Sequence, residues 1–279
     1  MRNILLALCL CLSFHTYAQD TKPESLSVED MAKKRQDPVA GLRSIYLQEV
    51  LLPIDGGMAQ SFSIQPVWPF RLGENLKLIT YTIIPFQSIS ANNSTSHIPI
   101  YPTPTQESGR THAGGLGNIL FNGFFTSMQK KGNISWGVGP AIQFPTRTEP
   151  VLGSNRVSLG PSFLFNHGGE TFSGGFVIQN YWSLGGEGAN AVNSFNFQYF
   201  TYYNLPKGWF LESNATIVNN WLAESGDQLL LPLGGGAGKT FKIGQSKLFY
   251  CAAAQLFYNA VRPDIVGTWE AVFQLQVIL

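Results

Sequence analysis

Charge is what this chain of 279 residues has least of: 13% of it is Asp, Glu, Lys or Arg, against roughly 25% in an ordinary soluble domain. Either much of its surface does not face water, or that surface is unusually neutral. The two signs nearly cancel, 18 basic against 17 acidic residues, which removes any general pull toward nucleic acid. No basic stripe supplies a local one. Long hydrophobic runs are missing too. Beyond the N-terminus nothing approaches the roughly 18 apolar residues that a membrane-spanning helix needs, which excludes a helical membrane protein. Cysteine is scarce: there are 3, with Cys9 and Cys11 in the N-terminal leader, leaving Cys251 no partner for an internal disulfide. What is plentiful is glycine (29), proline (16) and aromatic residues (13%). That is the composition of many strands joined by turns.

Residues 1–18 read as a cleavable secretory signal. Arg2 supplies the positive start, residues 4–12 the apolar stretch, and Thr16-Tyr17-Ala18 a small-x-small cleavage site, so the mature chain is expected to begin near Gln19. Cys9 comes too early for a lipoprotein signal, since only about five apolar residues precede it against the ~7–15 expected. The segment 19–43 is the most charged part of the chain and is expected to lie in the periplasm. Within it Ser27 is placed to cap a helix beginning at Val28-Glu29-Asp30 and running into Lys33-Lys34-Arg35, with Pro38 limiting its length.

From 44 to 279 the pattern becomes one of alternation. In the stretch 133–144, Ile134, Trp136, Val138, Pro140, Ile142 and Phe144 point one way, while Ser135, Gly137, Gly139, Ala141 and Gln143 point the other. Val157, Leu159, Phe163 and Phe165 are likewise opposed to Arg156, Ser158, Ser162 and Asn166. About twelve such strands can be counted: 44–51, 59–70, 76–87, 114–127, 133–145, 156–165, 171–183, 194–203, 208–220, 228–242, 248–259 and 268–279. Many exceed the ~5–6 residues usual in globular proteins and reach the ~9–11 that a tilted strand needs to cross a bilayer. The connections after even-numbered strands are short and those after odd-numbered ones longer, the longest being 88–112. Such sorting is expected of a closed, antiparallel, all-β transmembrane barrel with tight periplasmic turns and longer outer loops.

Tryptophan placement agrees with that reading. Trp68, Trp136 and Trp209 fall toward the periplasmic strand ends and Trp182, Trp221 and Trp269 toward the outer ends, as two lipid-interface girdles would. In the last strand Ala271, Phe273, Leu275, Val277 and Leu279 share one face, and its pairing with the first strand would remove both sheet edges.

The chemistry-bearing residues do not assemble an enzyme. Residues 233–240 approximate a phosphate-binding loop, but Leu233 stands where that motif needs glycine, and a strand end follows instead of a helix. His97, His112 and His167 lie in loops or turns without carboxylate or cysteine partners at metal-ligand spacing. A triad would have to combine His112 with Ser108 or Asp227, and no nucleophile motif supports it. Neither cofactor nor metal is expected. Arg156, Ser158, Asn196, Gln198, Glu212, Asn214, Gln274 and Gln276 fall on faces assigned to the lumen. There they either line a polar path or plug the barrel through hydrogen bonds. So little charge argues against a strongly ion-selective pore.

A series of short segments runs in order along the mature chain, beginning at Ala32-Lys33-Lys34-Arg35-Gln36-Asp37-Pro38-Val39-Ala40. It continues through Gly115-Leu116-Gly117-Asn118, Trp136-Gly137-Val138-Gly139-Pro140, Gly160-Pro161-Ser162 and Tyr203-Asn204-Leu205-Pro206-Lys207-Gly208-Trp209. Gly226-Asp227, Pro232-Leu233-Gly234-Gly235-Gly236-Ala237-Gly238-Lys239, Tyr258-Asn259 and Pro263 complete it. In these segments the chain resembles a bacterial outer-membrane transporter-like family labelled "MetA-pathway of phenol degradation", and mislabelled "neuromedin U". Asn118 departs from the Asp expected there, and the 88–112 stretch is longer than usual. The resemblance implies an outer-membrane barrel of Gram-negative bacteria that passes small, hydrophobic or aromatic solutes. Expected partners are outer-membrane lipid, the barrel-assembly machinery through the C-terminal strand, and a small solute. The alternative is a plugged structural or surface-binding barrel whose loop 88–112 contacts an external partner.

Overall fold

The computed structural model describes residues 26–90, 112–129, 132–185 and 191–279. The signal expected at 1–18, His97, Ser108 and most of the 88–112 stretch lie outside the described residues. In chain order the strands are β1 (Ser44–Ile54), β2 (Gly57–Arg71), β3 (Leu76–Ser90), β4 (His112–Leu116), β5 (Ile119–Ser127), β6 (Ile134–Phe144) and β7 (Ser158–His167). There follow β8 (Phe172–Ser183), β9 (Asn193–Asn204), β10 (Trp209–Asn220), β11 (Leu229–Phe241), β12 (Phe249–Val261) and β13 (Trp269–Ile278). Every pairing is antiparallel; apart from β1 with β13 and β3 with β5, paired strands are neighbours in sequence, and the β2–β3 pairing closes the sheet into a ring. The result is a closed transmembrane barrel. No helix among the described residues is long and apolar enough to cross a membrane.

β4 and β5 are two halves of one crossing. The outer half of β3 pairs with β4, Phe86 opposite Leu116, and the rest with β5, Ile83 opposite Leu120. Between those pairs β3 advances by three residues and its partner by four, so one extra residue forms a bulge at Gly117-Asn118. Counted as crossings, the thirteen strands make twelve.

The alternation has its physical origin in closure: a β-strand sends successive side chains to opposite faces, and only one face of a closed sheet meets the surroundings. In β6, Ile134, Trp136, Val138 and Phe144 are exposed, whereas Ser135, Gly137, Ala141 and Gln143 are buried. Outside, Phe165, Phe176 and Phe197 form a stacked ladder across β7, β8 and β9, with ring centroids 5.6 Å apart.

Short connections gather at one end of the barrel and longer ones at the other, with one correction. β1 and β2 are joined at the long-loop end by the two residues Asp55 and Gly56. Pro53 and Gly57, which look like loop residues in the sequence, sit in the ladder, Pro53 opposite Met58 and Gly57 opposite Ile54. Gly56 takes a φ of 68°, the left-handed conformation that so tight a turn requires.

Ahead of the barrel, α1 (Val28–Lys34) lies under the short-turn end, with Ser27 Oγ accepting a hydrogen bond from the Asp30 N–H at 3.0 Å. Its buried Met31 packs against Phe249 and Ile278, at the short-turn ends of β12 and β13.

Candidate functional site

Chain folds back into the lumen from both ends. From the short-turn end the residues after α1 enter the barrel. Gln36 Nε2 donates to Asn204 Oδ1 on β9 at 2.7 Å, and its Oε1 accepts from Ser173 Oγ on β8. Asp37 accepts from Ser135 Oγ on β6 at 2.9 Å and from the Val39 N–H at 3.0 Å. Val39 is buried among Ile79, Phe124, Leu164, Phe200 and Phe210, from five strands around the barrel. Outside, Lys33 forms an ion pair with Glu170.

Arg35 is the charged member of this plug. It is 5% exposed, donates from Nε to Thr240 Oγ1 at 3.2 Å, and rests its guanidinium carbon 4.2 Å from the Phe210 ring centroid. Gly238 makes the seat possible, since a β-carbon there would come within 2.3 Å of the Phe210 ring. Tyr202, Glu212, Tyr46 and Cys251 are the charge-bearing or polarisable groups around Arg35. The segment 233–240 that approximates a phosphate loop is thus the interior of β11, and its small residues leave room for the plug's support.

From the long-loop end the connection 145–157 folds inward. Thr146 Oγ1 donates to Gly117 O at 2.8 Å and accepts from the Ile119 N–H at 2.9 Å. Asn118 Nδ2 donates to Ser154 O at 2.9 Å, and its Oδ1 accepts from the Arg147 N–H at 3.2 Å. The bulge therefore frees the backbone and side-chain groups that hold this loop. A short 3-10 turn, Pro150–Leu152, then buries Leu152 among Leu52, Ile54, Ala59, Ile89, Val218, Leu230 and Val266, an apolar cap across the mouth.

Between plug and cap lie two cavities, one on the short-turn side and one on the long-loop side. Six residues line both: Gln48, Tyr81, Val177, Gln179, Gln198 and Asn214. None is charged. Their amides are tied in pairs around the wall, Gln274 Nε2 to Gln48 Oε1 at 3.2 Å, Gln198 Nε2 to Asn214 Oδ1 at 3.0 Å, and Gln179 Nε2 to Asn122 Oδ1 at 2.9 Å. Where the β10–β11 ladder lapses between the pairs Glu212–Gly236 and Val218–Leu230, Gln255 Oε1 accepts from the Asn214 N–H at 2.8 Å. The waist is thus a neutral girdle of amides.

Of the lumen candidates read from sequence, Gln198, Asn214, Gln274 and Gln276 border the short-turn cavity, and Asn196, Gln198 and Asn214 the long-loop one. Ser158 and Glu212 are buried, but neither borders a cavity. Arg156 precedes β7 and directs a guanidinium N–H to Gly185 O at 3.4 Å, in the loop region. Trp136, Trp182, Trp209, Trp221 and Trp269 are exposed, and Trp68 is half-buried with the Arg43 guanidinium 5.2 Å from its ring centroid. His112 opens β4 and His167 closes β7; Asp227 accepts from the Asp264 N–H at 2.8 Å. Sequence reasoning missed Arg35, Gln36 and Asp37 as lumen residues, and Gln48, Asn122, Gln179 and Gln255 in the girdle. The girdle had a signal: amides at alternate positions of otherwise apolar strands.

No family model matches the chain, and no curated protein sequence matches it. Among solved structures it is similar to a COG4313 outer membrane channel from Pseudomonas putida F1, with 14% identity, a TM-score of 0.59, and 86% of this chain and 96% of that one covered. The NanC porin aligns at 7% identity and TM-score 0.49, over 84% of this chain and 98% of that one. The CymD monoaromatic hydrocarbon channel aligns at 8% and 0.40, over 88% and 91%. What the chain shares with the COG4313 channel is its fold, a closed transmembrane β-barrel.

Proposed function

We propose that this protein is an outer-membrane barrel that passively passes small, uncharged, partly apolar solutes, with its short turns in the periplasm. One observation carries the reading: the space between plug and cap is walled by apolar side chains and neutral amides, with charge confined to its edges. Arg35 and Asp37 stand at the short-turn end and Glu270 on the long-loop side. A neutral waist offers an ion no compensating charge for the water it sheds, while a neutral solute loses less on entering. The residues by which the chain resembles the outer-membrane transporter-like family support the same reading. Purified protein in liposomes should raise the uptake of small neutral solutes above that of ions of matched size. Vesicles that stay equally tight to chemically varied probes would overturn the channel reading and leave the fold untouched.

A further inference from the structure

Two polar groups bordering the short-turn cavity lack partners although they are buried. Gln276 on β13 is 2% exposed and its Oε1 accepts no hydrogen bond; Arg35 is 5% exposed and its Nη2 donates none. A buried donor or acceptor left unmade costs more than a typical hydrogen bond contributes, so such groups mark where a partner belongs. The two belong to one corner. Gln276 pairs across the sheet with Tyr46 on β1 and Cys251 on β12, and both of those are electrostatic neighbours of Arg35. Opposite the corner, the same cavity is walled by Ile79, Phe124, Leu164 and Phe200.

We infer that the short-turn cavity is a binding site for an uncharged solute with an apolar body and one hydroxyl-like group, which accepts from Arg35 and donates to Gln276. The inference rests on the channel reading only in needing solutes to reach the lumen. Charge sets the class. Asp37 borders the cavity, and Glu212 lies behind it near the guanidinium with neither oxygen hydrogen-bonded. An added anion therefore meets the Asp37 carboxylate, and an added cation meets the Arg35 guanidinium. A hydroxyl supplies one acceptor and one donor, the complement of what the corner leaves open. A hydrocarbon fits the apolar wall and leaves both polar groups unmade.

The test uses four probes of one shape. 4-Fluorobenzyl alcohol, 4-fluorotoluene, 4-fluorobenzoate and 4-fluorobenzylammonium are titrated by ¹⁹F NMR against the full-length protein in micelles. Protein-free micelles at the same detergent concentration correct for partition, and Gln276→Leu and Arg35→Met remove the two polar contacts one at a time. The alcohol should bind at least about tenfold more tightly than the other three. Each variant should lose about tenfold for the alcohol, and the toluene should not change. Strand content by circular dichroism identifies a variant that has failed to fold, and the probe ranking on the unaltered protein needs neither variant. Equal binding of all four, tightest binding of benzoate or ammonium, or variants that weaken every probe alike would overturn the site. Selective alcohol binding with vesicles tight to every solute would leave the site standing and remove the channel reading. Uptake without probe preference would do the reverse.

Discussion

Val138 and Ile134 stand on the same outward face of β6, both exposed and four residues apart. One is mid-strand and the other at the short-turn end, so they differ in depth and in little else. An arginine at the midplane of a bilayer costs about 2–4 kcal/mol, falling to about 0–1 near the interface. Val138→Arg should therefore lower the unfolding free energy in vesicles by ~2–4 kcal/mol, and Ile134→Arg by less than about 1 kcal/mol. Equal losses in a denaturant titration would contradict this assignment of depth. The facing of such residues was legible from alternation alone, because period two is a local property. Arg35 was not legible in that way. Its position rests on Phe210 and Thr240, far along the chain, and nothing in Lys33-Lys34-Arg35 distinguishes the residue that enters the lumen from the two that remain below.

The plug holds by polar pairing more than by its surface charge. Lys33 and Glu170 form an exposed ion pair, and exposed pairs are worth about 0–1 kcal/mol. The Glu170 partner raises the Lys33 pKa above its ordinary value, through their hydrogen bond first and against the opposing effect of desolvation. The contribution of that pair is therefore present below the unfolded pKa of lysine and fades only as pH rises through the raised one. Gln36, by contrast, engages Ser173 and Asn204 in the barrel interior. Trypsin attack at Lys34 and Arg35 reports plug release. Gln36→Leu should speed it roughly tenfold; Glu170→Gln should change it by less than about fivefold, and less still in high salt. A larger effect from Glu170→Gln would reverse the ranking of these contacts. At this scale most strands and α1 could be read from sequence. The β1–β2 hairpin was missed because Pro53 and Gly57 sit inside the ladder, and the cap because Leu152 meets its neighbours only once the barrel has closed.

Across the whole molecule, plug and cap are closures in series, and series barriers do not add as parallel ones do. Opening either alone leaves the other in the path. Leu152→Ala and Gln36→Leu should each raise conductance in planar bilayers only modestly, and together by more than the product of the single effects. A single variant that conducts as well as the double would mean that its partner closure does not obstruct. The seam between the first and last strands of the sheet has a further consequence, for the order of assembly. The plug's seat is shared among Ser135 on β6, Ser173 on β8, Asn204 on β9 and Thr240 on β11, and α1 rests on β12 and β13. Val39 adds contacts to Ile79 on β3 and Phe124 on β5, so the seat spans most of the sheet. Docking of residues 35–39 is therefore expected to follow closure of the sheet, and the segment that enters the barrel first along the chain would be the last to find its place in time.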